Sequence, residues 1–526
     1  MKLNYKRTIL VGFAFFLICA FWQAYDNTVP LILTNKFGMS QTWSGVIMAL
    51  DNVLALFMLP LFGHLSDKCT SPKGRRTPFI VIGTLVAACA LVALSFVDNA
   101  QLRHLRDVSA IDDPAALSVI YERQKDATLL SPGGESFILG QKFTEEEFTA
   151  IRSQTVTEDG EAVTDPAYTN YVVPARQACA EAVTRAHPAT VILFVALLLI
   201  ILLSMATFRS PAVALMPDVT PKPIRSRANA IINLMGAVGG ISYLIVAAVL
   251  YPNSKTAGAA HVNYQPLFVV VSVLMAVSVI VLYFTTNEPK LAAAEKEYEA
   301  EHPEQQLVEE EPDGSEELPK EVRRSLVMLL NSIALWYIGY NGVTTWWTTY
   351  VGRVMGQGLG GASTCLLVAT GGAIVSYIPV GQMASKIGRK KTIQGGVILL
   401  AACFASAYFL TTHYQSINAV MFVVFALVGL AWAAINVNSL PMVVEMCKGS
   451  DIGKFTGYYY TFSMAAQVVT PILAGTLLKH ISYSMLFPYA AFFVACSFVT
   501  MCFVRHGDCK VEAKAGLAAF EDMDAD

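Results

Sequence analysis

The chain has 526 residues, 54% of them hydrophobic and 15% charged, with a net charge of −3. A soluble domain carries roughly 25% charged residues, and here long apolar runs alternate with short basic loops. That pattern excludes an ordinary soluble enzyme, and the near-neutral charge with no long basic tract points away from nucleic acid.

Met1 to Arg7 is short and basic and precedes an apolar run, as in a signal peptide. The run continues through Trp22, Gln23, Ala24, Tyr25 and Asp26 without a small-residue cleavage site, so it reads as a retained first span. Apolar segments then recur. The first six are Thr8–Leu33, Trp43–Leu65, Phe79–Val97, Thr190–Leu215, Ala228–Tyr251 and Tyr264–Thr286. The second six are Leu326–Val351, Ala362–Ala384, Thr392–Thr411, Ile417–Val444, Thr456–Leu478 and Tyr483–Phe503. About 20 apolar residues cross a hydrocarbon core roughly 30 Å thick. Backbone groups find no water there, so each span should be a helix. The expected fold is an all-α membrane protein of twelve transmembrane helices in two pseudo-symmetric six-helix bundles.

Basic residues set the expected orientation. Lys68, Lys73, Arg75 and Arg76 follow span 2, and Lys222, Arg225 and Arg227 follow span 4. Lys386, Arg389, Lys390 and Lys391 follow span 8, and Lys448 and Lys454 follow span 10. These loops and both termini are expected on the cytoplasmic side of a cell inner membrane.

Two segments read as extramembrane. Residues 98–187, between helices 3 and 4, are acid-rich (Glu145 to Glu147, Glu158, Asp159) and should form a small outer insertion, with a short helix within Phe143–Ile151. Residues 287–325 form a polar linker with Glu309 to Glu311, Glu316 and Glu317, expected to be partly helical or mobile. The resulting scheme is 1–97 and 188–286 for the N-terminal bundle, 326–504 for the C-terminal bundle, and 505–526 for a cytoplasmic tail. The ten cysteines are scattered, without metal-ligand spacing, and read as small buried hydrophobes.

The halves echo each other. Gly63-His64-Leu65-Ser66-Asp67 and Gly74-Arg75-Arg76 follow span 2; Gly381-Gln382-Met383-Ala384-Ser385-Lys386 and Gly388-Arg389-Lys390-Lys391 follow span 8. Span 4 ends in Asp218 and span 10 in Glu445. Repeated halves are the substance of alternating-access carriers.

The glycine–acid–glycine–arginine loop resembles the signature of the major facilitator superfamily. The fuller string from Gly63 to Ile80, with Ser210-Pro211, Ala214-Leu215, Asp218 and Ala228-Asn229-Ala230, is similar to the sucrose–proton symporters. Those lie near the glycoside–pentoside–hexuronide cation symporters. The resemblance implies a cation-coupled sugar or glycoside carrier, not an enzyme. It breaks at Val213, where that group has an arginine, and in Leu202 to Ala206, where that group has an aspartate. The group's own proton and sugar residues are therefore not transferred to this chain.

Candidate residues fall in three sets. Asp67, Arg75, Arg76 and Asp218, with Arg389, Lys390 and Glu445, are the expected cytoplasmic gate, since an arginine bridges two carboxylates; the bland alternative is that they only hold topology. Asp26 with Asn27, and Asp51 with Asn52, are the candidates for cation coupling, because carboxylates inside apolar spans are costly. A proton needs a desolvated carboxyl, whereas sodium needs several oxygens together. Trp22, Gln23, Tyr25, Arg209, Asn233, Tyr340, Asn341, Gln382, Trp432 and Asn436 mix aromatic faces with amides, as a sugar's ring and hydroxyl rim require. Trp346, Trp347 and Tyr350, near an outer helix end, read as interface anchors. Gly236, Gly239, Gly240, Gly371 and Gly372 read as packing positions. The expected partners are a small polar solute, foremost a sugar, and the bilayer. The chain is expected to work as a monomer, with no cofactor beyond a coupling proton or sodium ion. A proton-linked exporter, a carrier of another polar metabolite, and a transporter-like sensor are the alternatives.

Overall fold

A computed structural model describes residues 4–156, 162–220, 225–301, 319–414, 416–446 and 452–508. Lys222, Lys448, Glu158, Asp159 and the acidic runs of the linker lie outside the described residues.

Among the described residues, twelve helices are long and apolar enough to cross a membrane. In the first half these are α1 (Tyr5–Leu31), α2 (Gln41–Asp67), α3 (Thr77–His104), α4 (Pro188–Val219), α5 (Arg225–Leu250) and α6 (Gln265–Thr285). The second half has α7 (Lys320–Val354), α8 (Leu359–Ile387), α9 (Arg389–His413), α10 (Ala419–Val444), α11 (Ile452–His480) and α12 (Leu486–Cys502). Prolines open α3, α4 and α6 in their first turn, where the missing N–H costs nothing. Helix α1 ends in a wider turn, Ile32–Lys36. Helix α7 begins at Lys320, so the linker expected to run to residue 325 gives its last residues to that helix.

The two halves pack alike. In the first, α1 meets α5 and α6, α3 meets α4 and α6, and α2 meets α4; in the second, α7 meets α11 and α12, α9 meets α10 and α12, and α8 meets α10. Each pairing recurs six helices on, and each half has its own apolar core. Between halves, α2 packs on α11, α5 on α8 and α1 on α7. The α2–α11 contact needs glycine: a Cβ at Gly45 would run into the carbonyl of Pro471, and one at Gly475 would meet that of Gln41 at 2.5 Å. Gly239 and Gly372 are packing positions too, against Phe16 and Ala426, whereas Gly371 faces open space.

Residues 105–156 and 162–187 fold into a cap with a separate core of Leu117, Ile120, Phe137, Phe148 and Tyr168 among others. The predicted short helix is present as Glu145–Ala150, opened by a Thr144–Glu147 capping box. The cap is not purely helical. It holds two antiparallel hairpins, β1 (Thr128–Leu130) with β2 (Ser136–Ile138) and β3 (Gln154–Val156) with β4 (Ala162–Thr164). Such three-residue strands give too short an alternation to register as a pattern. Asp98, placed at the start of this insertion by sequence, lies inside α3. Cys179 is buried in the cap beside Gln124, whose amide Nε2 donates to Sγ at 3.5 Å.

The cap joins the halves at one end of the bundle, hereafter the cap end. The carbonyl of Pro132 accepts from Tyr483 N (2.9 Å) and Ser482 Oγ (3.0 Å), between α11 and α12. Thr164 Oγ1 donates to the carbonyl of Met355 (2.8 Å), just past α7. Around these contacts Gln41 bonds Tyr483, and Arg353 Nη2 donates to Asn35 at 2.8 Å. At the opposite, basic end, a Cβ at Gly381 of α8 or Gly457 of α11 would meet nothing within 4 Å.

Candidate functional site

Near the middle of the first half, α1 presents Trp22 and Asp26 one turn apart, the i, i+4 spacing that puts them on one face. Asp26 and Asp51 lie close enough to act on each other electrostatically, and Arg209 acts on Asp51. The Arg209 guanidinium sits 5.5 Å from the centre of the Trp22 ring. Trp22 in turn meets Tyr25 edge-on, at 5.5 Å between ring centres. Asn52 Nδ2 donates to Asp51 Oδ1 at 2.9 Å. Asp218, on the same helix as Arg209, is instead engaged by Arg75 and Arg76 at the basic end.

Asn27 turns back on its own helix. Its Nδ2 donates to the Gln23 carbonyl (2.8 Å) and to Gln23 Oε1 (3.1 Å). Its Oδ1 is buried without a partner, as is Trp22 Nε1. Asn233 on α5 is buried.

In the second half, Tyr340 of α7 stacks on Trp432 of α10 at 3.7 Å, with rings 4° from parallel. Tyr337 meets Trp432 edge-on at 5.4 Å, and its hydroxyl lies 3.2 Å from that of Tyr459. Asn341 Nδ2 and Asn436 Oδ1 are buried with no protein partner. Buried polar atoms are nearly always satisfied, so these amides are suited to a bound solute or water. Gln382 is set apart from the rest: it is exposed in the last two turns of α8, beside the open space at Gly381.

Trp346, Trp347 and Tyr350 are not interface anchors. All three are fully buried in the second-half core. Their polar atoms are satisfied there: Trp346 Nε1 donates to Pro471 O (3.2 Å), Trp347 Nε1 to Ala362 O (3.0 Å), and the Tyr350 hydroxyl lies 2.6 Å from Thr411 Oγ1.

At the basic end, Arg76 is the hub. It is 5% exposed and pairs with Asp67, with Asp218 Oδ2 (2.8 Å) and with Ser66 Oγ (2.5 Å). Arg75 adds a two-point contact to Asp218, at 2.6 and 3.1 Å. Arg389 pairs with Glu445 at 2.8 Å in the second half. Lys390 does not join that pair; its Nζ donates to the carbonyls of Val504 (2.5 Å) and Cys502 (3.3 Å) at the end of α12. All of these pairs lie within one half. Sequence reasoning missed Glu288, the first residue of the helix Glu288–Glu301. Its carboxylate accepts from the backbone N–H groups of Arg75, Arg76 and Thr77 at 2.8–2.9 Å and from Thr77 Oγ1 at 2.7 Å. It thus seats a negative charge on the N-terminus of α3.

Comparisons with known proteins agree with this architecture. The model of the Major Facilitator Superfamily matches residues 178–410 and 356–517, and that of MFS/sugar transport proteins matches residues 11–102. Sucrose transport protein SUC4 of Arabidopsis thaliana is 39% identical over 59 residues, 11% of this chain and 12% of that protein. SUC3 of the same plant is 37% identical over 67 residues, 13% of this chain and 11% of that protein. The matched stretches therefore span only about an eighth of these relatives. Among solved structures, the nucleoside transporter NupG superposes with a TM-score of 0.57 at 12% identity, covering 95% of this chain and all of that one. The inward-open xylose transporter XylE from E. coli gives 0.56 at 13% identity, covering 97% and 98%. At such identity the likeness is one of fold alone. With two matching six-helix halves and a family match over more than half its length, the chain belongs to the Major Facilitator Superfamily, a family of transport proteins and not of enzymes.

Proposed function

We propose that this protein is a secondary active transporter that couples movement of a sugar or glycoside to that of a proton or sodium ion by alternating access. The observation that carries the reading is the pair Asp26 and Asp51, held inside apolar helices within electrostatic reach of each other, with Arg209 beside Asp51. Ionisable groups at such depth are costly unless they serve a pathway. The aromatic and amide sets on α1, α7 and α10 supply the contacts a sugar needs. Trp22, Tyr340 and Trp432 offer ring faces, and Asn341 and Asn436 offer unfilled hydrogen-bonding atoms. The short matches to sucrose transport proteins support a sugar over other solutes.

The two ends of the bundle take complementary roles in this scheme. Contacts between halves at the cap end, with open space at Gly381 and Gly457, correspond to a state closed at the cap end and open at the basic end. The clusters of Arg76 and Arg389 act as gate elements that regroup when the basic end closes. The cap faces outward from a cell inner membrane, and the basic loops and both termini face the cytoplasm, with the protein acting as a monomer.

A thermal-shift screen of mono- and disaccharides, with and without sodium and across pH, tests this directly, since a ligand of the folded form raises its melting point. Asp26→Asn and Asp51→Asn should abolish the ion dependence of that shift. Retention of the dependence in both variants would remove the coupling role from these carboxylates.

A further inference from the structure

A cavity of about 830 Å³ lies at the cap end, walled by the cap, by the start of α2 and by the ends of α7 and α11. Its charges do not balance. Glu181 of the cap is already paired with Arg185 at 2.6 Å. Arg353 and Lys479 also line the cavity, and among the described residues neither has a carboxylate within ion-pair distance. Arg353 is the more telling. Its residue is 4% exposed, its Nη2 reaches only the neutral amide oxygen of Asn35 (2.8 Å), and its Nε is buried without a partner.

A buried guanidinium normally has its charge answered by a carboxylate or phosphate. The C-terminal dipole of α7, in whose last turn Arg353 sits, compensates a fraction of a unit charge. The rest has no carboxylate to answer it among the described residues, on a side chain that lines both this cavity and a smaller space beside Asn35. Around the cavity, Leu129, Leu130 and Leu478 give an apolar wall, and Gln177 and His480 add polar groups. A guanidinium without a carboxylate partner, a second cation and an apolar wall suit a small organic acid better than a neutral solute.

We propose that this cavity binds a small organic anion, carrying a carboxylate or phosphate, seated on the guanidinium of Arg353. Its walls come from the cap and from both halves, so its occupant holds them together at the cap end. The anion therefore favours the state closed there. This site is separate from the midspan carboxylates and does not require the transported solute to be a sugar.

The experiment is a thermal-shift titration of the purified full-length protein with citrate, succinate and inorganic phosphate, each against chloride at matched ionic strength. The expected result is a saturable rise of about 2–4 °C for at least one of these anions and none for chloride. Arg353→Gln should raise the concentration needed by about tenfold or more. Lys479→Gln should raise it about two- to fivefold. Arg353→Lys keeps the charge without the fork and should fall between wild type and Arg353→Gln, which keeps the test decisive if Arg353→Gln folds poorly. Equal rises with chloride, or titrations unchanged in Lys479→Gln and Arg353→Lys, would overturn the proposal. Phosphatidylglycerol added in place of the free anions should not reproduce the shift; if it did, a lipid head group and not a soluble anion would be the occupant. Any sugar-dependent shift should persist in Arg353→Gln, so this site and the midspan reading fail separately.

Discussion

Lys36 and Asp98 meet at 2.5 Å with neither side chain exposed to solvent, which ties the turn after α1 to the last third of α3. Gln101 of α3 reinforces the tie by donating to the Lys36 carbonyl at 3.0 Å, and the ring of Tyr264 lies 4.7 Å from the ammonium. Removing one partner strands a buried charge, at a cost of about 3–5 kcal/mol. Asp98→Ala should therefore lower the melting temperature sharply. The double replacement Lys36→Met with Asp98→Leu should recover most of that loss, because a packed apolar pair is close to neutral by comparison. Melting curves of the three variants in one detergent check this.

Arg76 should be irreplaceable by lysine. It serves Asp67, Asp218 and Ser66 together, and a point-charge ammonium cannot reproduce that fork. We expect Arg76→Lys to slow solute counterflow by about tenfold, equivalent to roughly 1.4 kcal/mol on the barrier. Solute affinity, read from the thermal-shift midpoint, should change little. An equal loss in both would place Arg76 in binding instead of gating.

His261, between α5 and α6, should make the protein acid-sensitive. Burial, with the nearby cations Arg176, Lys36 and Arg353, pushes its imidazole down from 6.5 to about 3. Below pH 6.5 the unfolded chain takes up a proton that the folded chain refuses, so stability falls as pH drops from about 6.5 towards 3. The slope contributed is about 1.4 kcal/mol per pH unit. His261→Gln should flatten that limb in melting curves between pH 4 and 7, and leave the region above pH 7 unaltered.

The bonds from Pro132 to Ser482 and Tyr483 span the two halves, so locking them should arrest the cycle. A Pro132→Cys, Ser482→Cys pair, with the exposed Cys89 and Cys502 replaced, should lose counterflow on oxidation and regain it with reductant. Undiminished flux in the oxidised form, with the disulfide verified by mass, would mean that the cap end need not open.

The twelve spans were legible because each is a long apolar run that only a helix satisfies in lipid. Arg76 and Asp218 were legible because a basic loop and a carboxylate at a helix end recur in both halves, whereas Ser66 and Asp67 have Ala384 and Ser385 in the corresponding places. Lys36 and Asp98 were not, since they lie 62 residues apart and a lysine at a span end reads as reaching for the interface. Trp346 and Trp347 were misjudged for a related reason: a tryptophan near a helix end looks amphipathic until its N–H finds an internal carbonyl. The cap's grip on the second half went unseen because Pro132 and Met355 contribute main-chain carbonyls, which every residue has. Glu288 was hidden in an acidic linker whose charges look interchangeable.

Both ends of the cap are rooted in the first half, one in α3 and the other in α4. It therefore behaves as an arm fixed to one partner and resting on the other. If the halves rock as proposed, the arm lifts from the segments at residues 481–483 and 355–356. A pair of fluorophores on the arm and on either segment would convert each turnover into a change of brightness.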